Sequence, residues 1–173
     1  MKKNIKPILV LTTICLVVTG AIALMNDITY PVIKEANARR TITTMNEIIP
    51  DASDFVNIKS DNLPPSIIEA YRVADDSGYI FIVSSNGFGG NMKVICGVNA
   101  NGEIIEVRAL QHFETKGLGD YIENRSFTGQ FDGKNINQLS EIDSVTGATI
   151  TFNAFIHAVE DALNAFSIIR GYN

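Results

Sequence analysis

The residues best placed for chemistry are Asp143-Ser144-Val145-Thr146-Gly147-Ala148-Thr149. Hydroxyls and small side chains stand there at the start of an amphipathic helix. The first turn of a helix offers N–H groups without intrahelical partners and the positive end of the macrodipole, which together suit a phosphate. Gly147 and Ala148 let a ligand come close to the backbone, and the Thr149 hydroxyl is a group that can itself be esterified to phosphate. On its own the tetrapeptide Thr146–Thr149 reads as a helix cap rather than a ligand site, with Thr149 or Thr151 as the capping residue.

A second stretch is His112-Phe113-Glu114-Thr115-Lys116-Gly117-Leu118-Gly119-Asp120. It follows a strand and enters a glycine loop. Glu114 offers an acceptor and Thr115 a hydroxyl, for a heterocycle or for fixing the loop. His112 is expected to be a structural hydrogen-bonding residue. The third stretch, Asn86-Gly87-Phe88-Gly89-Gly90, has no following Lys-Ser/Thr and opens onto a strand. It is not a phosphate-binding P-loop and reads as a hairpin connection or a tight loop under a ligand.

These stretches need elements to hold them. The last helix is the clearest: Phe152, Phe155, Ile156, Val159, Leu163 and Phe166 recur at the spacing of one apolar face, and Gly171 follows its end. Strands are expected at Glu69–Ala74, Tyr79–Ser84, Met92–Val98 and Glu103–Leu110. Turns are marked by Asp76-Ser77-Gly78 and by Asn101-Gly102, the latter with both residues at positive φ. Ile136–Leu139 is a short element of undefined type, and the polar stretch from Pro50 to Pro65 is a connector. An antiparallel meander framed by helices makes an α+β domain.

Ahead of it lies a different kind of segment. Lys2, Lys3 and Lys6 precede an uncharged run from Pro7 to Met25. As a helix at ~1.5 Å per residue the run spans roughly 28 Å, near the ~30 Å hydrocarbon core of a bilayer. A cleaved signal peptide is the rival, with Ala21-Ile22-Ala23 as the cleavage site. The run exceeds the about 7–15 apolar residues of a signal core, and helix-like spacing of Ile28, Val32, Ala36, Ile42, Met45 and Ile49 continues beyond it. The expected organisation is an N-terminus and transmembrane anchor (1–26), a juxtamembrane helix (27–50) and one domain (51–173). The basic start places the N-terminus in the cytoplasm and the domain outside it.

Composition narrows the function. A net charge of −5 without a basic stripe excludes a nucleic-acid partner. Two cysteines, Cys15 within the apolar run and Cys96, make neither a disulfide framework nor a metal site, and two histidines make no metal centre. Cys96 reads as a small buried core residue. No acid–base pair for catalysis stands out, and the chain has neither a dinucleotide fingerprint nor an iron–sulfur cysteine pattern.

Taken in order, the N-terminal span, the GFGG loop, HFETKGLGD and TGAT resemble the G subunit of the Rnf electron-transport complex, within the FMN-binding domain family. The chain is also similar to the C subunit of the sodium-pumping NADH:quinone reductase, though its length suits the Rnf protein. The likeness covers nearly the whole chain, and its two main motifs lie about thirty residues apart. It implies an electron carrier with FMN held covalently, through a phosphoester on Thr149, with Thr146, Gly147 and Ala148 completing the motif. Glu114, Thr115, Gly117, Leu118 and Gly119 match the family's loop against the flavin. Lys116 stands where the family often has proline, and Thr146 where it often has serine. The implied partners are the other membrane subunits of the complex and a flavin transferase, which moves the FMN part of FAD using magnesium. A stand-alone extracytoplasmic flavin carrier, a component of the quinone reductase and a non-redox anchored binding module are the alternatives.

Overall fold

A computed structural model describes residues 5–60 and 62–171, so Lys2 and Lys3 of the basic start lie outside the described residues. The first element is one unbroken helix, α1, Ile5–Ile48. Its apolar part is long and apolar enough to cross a membrane, by length and composition. Pro31 sits in its interior; lacking an N–H, it removes one bond of the helical ladder. The chain divides into two compact units, 1–42 and 43–173. α1 therefore ends inside the second unit.

That second unit is built on a five-stranded antiparallel meander, in the order β1-β2-β3-β4-β5. The strands are β1 (Phe55–Asn57), β2 (Ile67–Val73), β3 (Gly78–Asn86), β4 (Asn91–Asn99) and β5 (Ile104–Gln111). After β5 come a 3-10 turn (Asp120–Glu123), a short helix α2 (Arg125–Thr128), two more 3-10 turns (Gly129–Phe131 and Ile136–Glu141), and the long helix α3 (Thr149–Arg170).

Both faces of the sheet are covered, which is why β3 and β4 read as continuous apolar runs. Tyr79, Phe81, Val83, Met92, Val94, Cys96 and Val98 pack in the cluster that contains α3. Ile80, Ile82 and Ile95, on the opposite face, pack with Met45, Ile48 and Ile49 from the end of α1 and its exit. On α3 the buried face alternates bulky Phe155, Val159, Leu163 and Phe166 with Ala154, Ala158, Ala162 and Ala165. The alanines let the helix lie close to the sheet, and each large side chain adds about 1.5–3 kcal/mol of burial.

Gly97 has a similar purpose on the other face: a Cβ there would stand 2.3 Å from Cγ2 of Ile48. Replacing Gly97 by Ala should cost about 1–3 kcal/mol, the usual range for overpacking. Urea denaturation of the detergent-solubilised chain should show a lower midpoint with an unchanged slope. An unaltered midpoint would mean that the end of α1 does not dock on this face.

Local differences from the sequence reading have physical causes. β1 lies in the polar connector, because three residues at a sheet edge need only one partner strand and no apolar alternation. The turn after β4 is not a two-residue hairpin: only Gly102 has positive φ (85°), and its N–H donates to the Asn99 carbonyl at 3.1 Å. The Asn99 side chain accepts from the Asn101 and Glu103 N–H groups, at 2.9 and 3.0 Å, and stabilises this longer turn instead. Ile136–Glu141 is a 3-10 turn capped by Asn135 and Gln138, whose side chains bond reciprocally to the backbone.

Candidate functional site

The meander brings two of the sequence stretches to one end of the sheet. Asn86 pairs with Asn91, so the glycine loop 87–90 closes the β3–β4 hairpin there. Lys93 pairs with Gln111, so the chain leaves β5 at the same end and runs directly into His112–Asp120. The first turn of α3 completes the group. Between them lies a pocket of about 270 Å³, lined by Phe88 of the glycine loop, Glu114, Thr115, Leu118 and Gly119 of the loop after β5, and Gly147 to Thr151.

Seven of the residues singled out from sequence therefore line one pocket: Glu114, Thr115, Leu118, Gly119, Gly147, Ala148 and Thr149. Gly117 and Thr146 are not part of the lining. Gly117 serves the loop, at φ 78°, with its N–H donating to Asp120 Oδ1 at 2.9 Å. Phe88, Ile150 and Thr151 line the pocket without having been expected there. Phe88 was readable only as the aromatic residue of a glycine loop. Ile150 and Thr151 lie within the helical pattern, where spacing alone does not distinguish a pocket wall from a helix start.

The helix start is not a side-chain cap. Ala148 is the N-cap, with no side-chain hydrogen bond to the turn. Thr149 is the first residue of α3, so its hydroxyl is already past the capping position, while Thr151 points into the protein and is 1% exposed. Gly147 holds φ 85°, which turns the chain into the helix at little cost only for glycine. The result is an exposed Thr149 beside the free N–H groups of a helix N-terminus and at the edge of a pocket. This arrangement can hold a phosphate ester, with an attached group lying against Phe88, Leu118 and Ile150, which are 70%, 54% and 57% exposed.

Glu114 is the buried carboxylate of the site, 8% exposed. Its Oε2 accepts from the Thr151 hydroxyl at 2.6 Å, and its Oε1 from the Gly89 N–H at 3.2 Å. Its own N–H donates to His112 Nδ1 at 3.2 Å, which leaves the proton on Nε2 to bond Glu123 Oε1 at 2.8 Å. His112 is thus a structural hydrogen-bonding residue. Nearby, Tyr121 has a buried hydroxyl without a hydrogen-bond partner among the described residues. Burial first, and then the charge of Glu114, push its phenol up to about 12. Cys96 is fully buried in the core, its thiol also pushed up to about 12 by burial. No group of three or more metal-ligating side chains occurs among the described residues.

Comparison with known proteins bears on this arrangement. Residues 87–164 match the FMN-binding domain family, a stretch that begins at the glycine loop and runs well into α3. The G subunit of the ion-translocating oxidoreductase complex of Shewanella piezotolerans is 34% identical, over 96% of this chain and 92% of that protein. The G subunit of the proton-translocating ferredoxin:NAD(+) oxidoreductase complex of Clostridium ljungdahlii is 30% identical, over 93% of this chain and 90% of that protein. A crystal structure of the C subunit of the Na(+)-translocating NADH-quinone reductase from Parabacteroides distasonis aligns at 24% identity with a TM-score of 0.43, covering 57% of this chain and 58% of that one. That last likeness is too distant to carry weight of its own.

Proposed function

The chain belongs to the family of the G subunits of ion-translocating oxidoreductase complexes, and from this premise we propose that it is the electron-carrying flavin protein of such a complex, with one FMN esterified to Thr149. The observation that carries the reading is the exposed Thr149 at an uncapped helix start, on the rim of a pocket inside an FMN-binding domain.

The residues present fit the group. Thr149 supplies the ester oxygen, and the N–H groups of the first turn of α3 face a phosphate attached there. Gly147 and Ala148 leave room for it. Phe88, Leu118 and Ile150 offer apolar surface to the ring, and Glu114 and Thr115 offer polar edges. The flavin, when bound, supplies the redox chemistry, and the protein supplies position and electrostatics. Attachment requires a transferase that splits FAD, joins its FMN half to the Thr149 oxygen and releases AMP.

The tether has a physical purpose. In this reading α1 spans the membrane once, with the N-terminus in the cytoplasm and residues 51–173 outside it, where a dissociated cofactor would be lost. A covalent link replaces affinity with a high effective concentration. A shallow pocket is then sufficient, and the ring edge stays open to a redox partner among the other membrane subunits.

The test is mass analysis of the peptide containing Thr149, taken from protein in its native membrane. The expected peptide is heavier by one FMN less one water, with the adduct on Thr149. An unmodified peptide would overturn the reading, and purification with neighbouring subunits identifies the circuit.

A further inference from the structure

Three glycines crowd around one side chain at this site. A Cβ on Gly87 would stand 2.1 Å from Glu114 Oε1, and one on Gly119 would stand 2.7 Å from Glu114 Oε2. Gly89 donates its N–H to the same carboxylate. The Thr151 hydroxyl donates to Oε2 at 2.6 Å, across 37 residues of chain. The carboxylate therefore joins three separate segments: the glycine loop, the loop after β5 and the first turn of α3. No lysine or arginine makes an ion pair with it among the described residues. Its two bonds come from neutral donors, which hold a charge in place without cancelling it.

We propose that Glu114 is a positioning residue of the flavin pocket, clamping the glycine loop to the start of the last helix through Gly89 and Thr151, and that its carboxylate on the pocket wall, with no ion-pair partner, holds the reduction potential of the bound flavin down. The proposal rests on the reading of Thr149 as the flavin site. Reduction adds electron density to the ring, and a fixed negative charge in the same partly dry pocket opposes it. A neutral isostere should release that opposition, while loss of the hydroxyl donor should loosen the clamp and leave the charge.

The experiment uses the full-length chain, purified in detergent with and without co-expressed flavin transferase. Flavin attachment is read first, from the fluorescent band on a denaturing gel. In the flavin-loaded protein, Glu114→Gln should raise the midpoint potential by about 30 mV or more, which is a tenfold change in the oxidised-to-reduced ratio for a two-electron couple. In the flavin-free protein, Thr151→Val should speed amide exchange across residues 87–90 at least tenfold, and Thr151→Ser should restore it. An unchanged potential in loaded Glu114→Gln overturns the electrostatic part. Unchanged exchange in Thr151→Val overturns the clamp. Should Glu114→Gln fail to accumulate, Glu114→Asp decides the electrostatic part: it keeps the charge, so a potential raised by about 30 mV in it would overturn the assignment to charge. A wild-type protein without the fluorescent band would refute the flavin reading itself, whereas the exchange result would still decide the clamp.

Discussion

Thr149→Ala should abolish the fluorescent flavin band on a denaturing gel while leaving the protein folded. Three threonine hydroxyls, on Thr146, Thr149 and Thr151, lie close together here, and their settings differ sharply. Thr151 is 1% exposed and donates to Glu114, so a transferase cannot reach it. Thr146 is exposed but does not line the pocket. Only Thr149 is exposed, lines the pocket and stands in the first turn of α3. Thr149 is exposed and is the first residue of α3 rather than its N-cap, so alanine there removes no capping residue, and alanine is the better helix former. The change in stability should be within about 0.5 kcal/mol. Thr149→Ser should retain the band and Thr146→Ala should retain it as well. A persistent band in Thr149→Ala would move the attachment point elsewhere.

The order of elements was readable because the signals were local. The apolar face of α3, the turn at Asp76–Gly78 and the alternation of strand and glycine are all contained within short windows. What eluded the sequence depended on contacts distant along the chain. β1 exists because β2 offers it an edge. The Asn101-Gly102 turn is the exception, remodelled by a neighbour in sequence, the Asn99 side chain. Phe88 joins the site because the β3–β4 hairpin closes at the end where the chain leaves β5, and Thr151 because its hydroxyl meets Glu114. Glu114 shows the division most clearly: its residue type announced an acceptor, but its partners, at separations of 25 and 37 residues, belong to the fold. The glycine loop is both a hairpin connection and a wall of the pocket, so the two sequence readings of it were not alternatives.

That double duty makes Gly89→Ala the most damaging single methyl at the site. A Cβ on Gly89 would lie 2.0 Å from the Phe113 carbonyl oxygen, 2.5 Å from the carbonyl carbon and 2.9 Å from the Glu114 nitrogen. All three are backbone atoms, so no rotamer change relieves the contact. Either the glycine loop or the segment leaving β5 must move, and both movements break the Gly89 N–H bond to Glu114. Overpacking of this kind costs about 1–3 kcal/mol and occasionally more, and here the top of that range is expected, together with at least a tenfold loss of flavin attachment. Gly133→Ala is the control: its φ of 72° also favours glycine, but a Cβ there meets nothing within 4 Å, so only the left-handed backbone cost of about 1–2 kcal/mol applies. Denaturation midpoints and the fluorescent band of the two variants separate strain from collision. Equal behaviour in both assays would mean that the glycine loop does not press on the segment after β5, and that the pocket is closed by other contacts.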